Sequence, residues 1–62
     1  MSTLFIAADY SRLITTTRAV EVPPEVLAQG EFHERYDNVV RFAAKQELIS
    51  RGERDLLLME RH

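Results

Sequence analysis

Hydrophobic positions change their spacing twice along this chain. Leu4 to Ala8 (LFIAA) is apolar throughout, and Leu13 to Val22 (LITTTRAVEV) is dense in β-branched residues. Such side chains suit a pleated, half-buried surface. Between them lies DYSR, Asp9 to Arg12, whose Asp and Ser favour a turn by bonding nearby backbone groups. The pattern predicts an N-terminal β-hairpin over residues 3–22. In its second strand Thr16, Arg18, Val20 and Val22 share one face, and Thr15, Thr17, Ala19 and Glu21 the other. The valine face is expected to meet the core. A two-stranded hairpin is marginal in water, so it must pack on helices or pair with another strand.

Pro23 and Pro24 end the β pattern, because neither can donate a ladder hydrogen bond. Pro24 suits the first position of a helix, and PPEVLAQG reads as a short helix stopped at Gly30. A helix running on through Gly30 is the alternative, at about 1 kcal/mol for the glycine. Beyond it Phe32, Tyr36, Val39, Val40 and Ala43 follow the i, i+4, i+7, i+8 stripe of an amphipathic helix. Glu31/Arg35, Asp37/Arg41 and Glu47/Arg51 are acid-first i,i+4 pairs, each contributing about 0.2–0.5 kcal/mol on a solvated face. Ser50-Arg51-Gly52-Glu53 then fits a capping box, Ser-x-x-Glu, which favours a second helix started there, with one helix continuous to the end as the alternative. The fold class expected is α+β: the hairpin, a long amphipathic helix and a short C-terminal helix. The helices are placed at about 24–49, broken or continuous at Gly30, and at 51–61.

The last helix carries Leu56, Leu57, Leu58 and Met59 in a row. Successive helix residues step by about 100°, so these four point in four directions. A helix apolar on all sides has to be covered on all sides. One side can pack on the chain's own core, and the rest would form an interaction surface. These four residues are therefore the candidate protein interface, with Leu57→Lys and Leu58→Lys as the variants that would break it.

Composition narrows the classes further. At 62 residues the chain is one domain at most, and domains this small are marginal unless stapled. There is no cysteine, so disulfides and thiolate metal sites are excluded, which leaves packing and oligomerisation. The net charge is −2, and neither half is basic: two basic face three acidic residues over 1–30, and six face seven over 31–62. A basic excess would be expected of a nucleic-acid binder. No apolar run approaches the roughly 20 residues of a membrane span, so a cytoplasmic location is expected.

Candidate chemistry is sparse. His33 and Asp37 have the i,i+4 spacing of two metal ligands, with only Glu34 or His62 to add to them, so a surface histidine beside a carboxylate is expected. Asp9-Tyr10-Ser11-Arg12 holds a hydroxyl, a carboxylate and a guanidinium, but no histidine is near in sequence to act as base. The only glycines are Gly30 and Gly52, so no phosphate-cradling loop exists. No catalytic residue, cofactor or metal site is assigned.

TTTRAVEVPPEV, a strand followed at once by a helix, resembles the ribbon-helix-helix repressors, and RAVEVPPEVLAQ is similar to swapped-hairpin antitoxin DNA-binding domains. That resemblance implies a dimer whose paired strands read the major groove, with Arg12 and Arg18 as the candidate contacts. ELISRGERDLLLME resembles the hairpin of SHOCT-type short helical domains, and FHERYD a stretch of the theta subunit of bacterial DNA polymerase III. The function expected is that of a small non-enzymatic regulator or inhibitor of phage or plasmid type. It would act by binding another protein or a second copy of itself, with the strand-mediated DNA reader as the alternative.

Overall fold

The computed structural model describes residues 4–61. Residue 3 of the expected hairpin, the side chains of Phe32 and Arg61, and His62 lie outside that description. The architecture is α+β: an antiparallel three-stranded sheet of β1 (Phe5–Ile6), β2 (Arg12–Ile14) and β3 (Ala19–Glu21), then helices α1 (Pro24–Leu27), α2 (Arg35–Lys45) and α3 (Arg51–Arg61). The strand order is β1-β2-β3, with Ile6 opposite Leu13 and Leu13 opposite Val20.

The expected hairpin is present as β1 and β2, and its second strand folds back once more. Thr15 N–H donates to the Arg18 carbonyl at 2.7 Å, closing a tight turn. The Thr15 hydroxyl accepts the Arg18 N–H at 3.0 Å and the Thr17 N–H at 3.4 Å. A hydroxyl thus stands in for the backbone acceptor, as Ser and Thr do in local turns. The valine side of the pattern does face inward: Val22 is buried and Val20 half-buried.

The first turn is held differently. Ser11 donates both its hydroxyl, at 2.6 Å, and its N–H, at 3.0 Å, to Asp9 Oδ1. Tyr10 adopts a left-handed φ of 63°, and its ring meets Tyr36 edge-on with centroids 6.4 Å apart. This contact ties the turn to α2. The Ser11 bonds, led by the hydroxyl, hold the Asp9 carboxyl below its ordinary 3.8. The folded value therefore lies under the unfolded one. The turn's contribution is complete above about pH 3.8 and is lost as pH falls through the lower folded value. Asp9→Asn is expected to remove this part of the acid sensitivity. An NMR titration placing the Asp9 carboxyl at or above 3.8 would contradict it.

The helical half breaks at Gly30, as the first of the two readings expects, and departs from its expected bounds at the second break. α1 ends at Leu27, and Gly30 takes a left-handed φ of 66°. A 3-10 turn, Phe32–Glu34, leads into α2. Glu34 Oε1 accepts the Glu31 N–H at 2.7 Å, and Asn38 Nδ2 donates to the Gln29 carbonyl at 3.1 Å. The break at Gly30 is thus built and capped rather than frayed.

The second break falls earlier than residue 49. α2 stops at Lys45, and Glu47 takes φ 62° although it is not glycine. Leu48 N–H donates to the Ala43 carbonyl and Glu47 N–H to the Ala44 carbonyl, at 2.9 and 3.0 Å. This pair of bonds is a Schellman motif. Arg18 Nη1 adds a bond to the Gln46 carbonyl at 3.2 Å. α3 then starts where the capping box places it, with Ser50 Oγ accepting the Glu53 N–H at 3.1 Å. One such cap contributes about 1 kcal/mol. Among the described residues no bond returns from the Glu53 carboxylate, so half of the box forms.

Leu13, Val22, Val39 and Ala43 form the buried cluster. Leu4, Ile6, Tyr10, Val26, Phe42 and Leu48 pack around it, with Leu27 and Ile49. Thus one face of the sheet, the short α1 and the Val39–Ala43 side of α2 share a single core.

Candidate functional site

Ser50 sets where α3 begins, and its packing against α2 sets which face turns outward. Leu57 and Leu58 lie half-buried on the side toward the rest of the chain, while Leu56 and Met59 are 58% and 69% exposed. The four candidate interface residues therefore divide into two kinds, an inward pair and an outward pair. Three residues apart on a helix, Leu56 and Met59 sit about 60° from each other, and Gly52 precedes Leu56 by four on the same side. A Cβ at Gly52 would meet nothing nearer than Ser50 Oγ at 3.9 Å. The fold of this chain gives no steric reason for glycine there. Asp55 and Glu60, both exposed, flank the outward stripe.

A second apolar strip lies on the outer face of the sheet. Phe5 is 61% exposed and pairs across the strands with Ile14, 36% exposed, which pairs in turn with the exposed Ala19. The period-two alternation around Leu13 carried this signal, since Ile14 must face away from a buried Leu13.

The two arginines of the DNA-reading alternative do not converge. Arg12 stands opposite Glu21 in the β2–β3 register, and Arg18 reaches the end of α2 to bond the Gln46 carbonyl. His33 is exposed in the 3-10 turn, and Asp37 is half-buried in the first turn of α2. Among the described residues no three His, Cys, Asp or Glu side chains are grouped to hold a metal ion.

A feature the linear sequence hides lies between α2 and α3. The Schellman turn folds the two helices together and leaves an open groove of about 930 Å³. Arg41, Lys45, Arg51 and Arg54 line it together with Glu47, and Leu48 and Ile49 add apolar surface. Arg54 is held by its neighbour, donating from Nε and Nη2 to Asp55 Oδ1 at 3.1 and 2.9 Å. Arg41, Lys45 and Arg51 enter no ion pair among the described residues. The expected Glu47/Arg51 pair is not made, because Glu47 lies in the turn and not on a helix continuous with Arg51. Arg41 and Lys45 also border a smaller hollow of about 290 Å³ beside Val26 and Phe42, so they stand as a ridge between two depressions.

Comparison with protein-family models, with curated proteins and with solved structures finds no match in any of the three. The resemblances at TTTRAVEVPPEV, RAVEVPPEVLAQ, ELISRGERDLLLME and FHERYD remain local likenesses of sequence. Among the described residues no helix is long and apolar enough to cross a membrane.

Proposed function

We propose that this chain works by binding another protein, as a small non-enzymatic regulator or inhibitor, and that the outward face of α3 makes the contact. The observation that carries this reading is the exposure of Leu56 and Met59 on one side of a helix whose opposite side already packs on its own chain. Large apolar side chains clustered in solvent mark interaction surfaces. The partner is a second copy or a heterologous target in the cytoplasm, of the kind that phage and plasmid accessory factors engage.

Covering Leu56 and Met59 contributes up to about 3–6 kcal/mol if both are fully buried, and less here because each is already part-covered. The double substitution Leu56→Lys, Met59→Lys is expected to weaken association at least about a hundredfold, and to leave the thermal melt unchanged because neither side chain supports the fold. Leu57→Lys and Leu58→Lys are poor probes, since both leucines pack inward and their replacement would disturb folding itself. Light scattering for self-association and capture from a host extract with mass spectrometry read the result. Association that persists in the double variant would remove α3 from the interface. A chain that stays monomeric and captures no protein would end the proposal.

A further inference from the structure

We infer that the groove between α2 and α3 binds an acidic, partly aliphatic segment of a partner protein. This rests on the protein-binding reading above and adds the chemistry of the partner. Four of the chain's eight basic residues line the groove, beside one of its ten acidic residues, Glu47. The chain as a whole is acidic, but residues 41–54 carry four basic against two acidic residues, and the turn between α2 and α3 brings those four to one groove. Three of these cations, Arg41, Lys45 and Arg51, enter no ion pair among the described residues, and like charges so gathered repel one another and do not stabilise a small domain. Carboxylates from a ligand would relieve that repulsion.

The apolar surface decides which anion fits. Leu48 and Ile49 offer a surface for aliphatic side chains between the cations, and among the described residues no aromatic side chain lines the groove. Single-stranded nucleic acid is gripped through aromatic platforms on which bases stack, and those are missing. Fields from exposed charges are screened within about 8 Å at physiological salt, so the four cations act locally despite the chain's net charge. The groove lies on the Arg51–Arg54 side of α3, away from the Gly52–Leu56–Met59 stripe, so the two surfaces can be tested apart.

The test uses the whole chain and a fluorescein-labelled peptide of alternating Glu and Leu. It would be about eight residues long, which extended spans roughly the length of the molecule. Fluorescence anisotropy is expected to show saturable binding that falls as salt rises. Arg51→Glu and Arg41→Glu are each expected to weaken it at least about tenfold. Both positions are exposed, and a carboxylate at residue 51 favours the start of a helix, so circular dichroism should report unchanged folding. A labelled single-stranded oligonucleotide of similar length serves as the competing ligand. Absence of peptide binding, binding indifferent to both charge reversals, or tighter binding of the oligonucleotide in the same groove would each overturn the assignment. Wild-type protein that ignores the peptide but still forms the complex dependent on Leu56 and Met59 overturns the groove alone. Loss of both complexes overturns the protein-binding reading with it.

Discussion

Leu13→Ala is expected to cost about 2–5 kcal/mol, enough to leave much of the protein unfolded. Leu13 is wholly buried on the central strand, with Ile6 and Val20 opposite it and Val39 and Ala43 in the same cluster. Removing its isopropyl group takes away apolar burial and leaves a cavity where the sheet meets α2. Folded domains carry roughly 0.05–0.15 kcal/mol of stability per residue, so a chain of this size has only about 3–9 kcal/mol in total. Ile14→Ala provides the control. The neighbouring side chain points to the opposite face and is 36% exposed, so its truncation is expected to cost about 1 kcal/mol or less. Urea unfolding followed by circular dichroism compares the two. Equal losses would mean that the inward face of β2 has been misassigned.

Gly30→Ala is the second large effect, expected at about 2–3 kcal/mol from two sources. The backbone at Gly30 has φ 66°, where a Cβ costs roughly 1–2 kcal/mol. The added methyl would also sit 2.5 Å from Glu34 Oε1 and 3.2 Å from its Cδ. Glu34 would have to move, and its 2.7 Å bond from the Glu31 N–H would be lost. A double-mutant cycle with Glu34→Ala separates the two. Glu34→Ala alone loses the cap, whereas Gly30→Ala in that background loses only the strain part. The two substitutions should therefore cost less together than the sum of each alone. Strict additivity would show that the methyl and the carboxylate do not meet, and an unchanged urea midpoint in Gly30→Ala would show that the left-handed turn is not needed.

The readable parts of this fold were those with local causes. The Asp9–Ser11 turn, the stop at Gly30 and the Ser50 cap each depend on side chains or backbone freedom within a few residues, and each lies where the sequence places it. Two breaks were not readable. Thr15-Thr16-Thr17 has the composition of a strand, and one threonine hydroxyl turns it into a turn. Glu47 carries a left-handed φ without being glycine. The Schellman bonds, the packing of Leu48 on the core and the Arg18 bond to Gln46 all act there, and two of those three reach outside the local segment.

The candidate surfaces divide in the same way. The four apolar residues of α3 were visible as an excess that a single buried face cannot absorb. Which two would face solvent required the rotation of the helix, and that depends on where α3 lies against α2.

The sequence by itself determined the α+β class, the order of its elements and the apolar excess near residue 56, because periodicity, proline placement and capping are local properties. Only the tertiary structure decided the third strand, the early end of α2, the outward aim of Leu56 and Met59, and the grouping of Arg41, Lys45, Arg51 and Arg54. These depend on contacts between residues far apart in the chain, and on a turn that brings two helices together. A local basic excess over residues 41–54, four basic against two acidic residues, becomes a groove lined by cations when the turn folds α3 back beside α2.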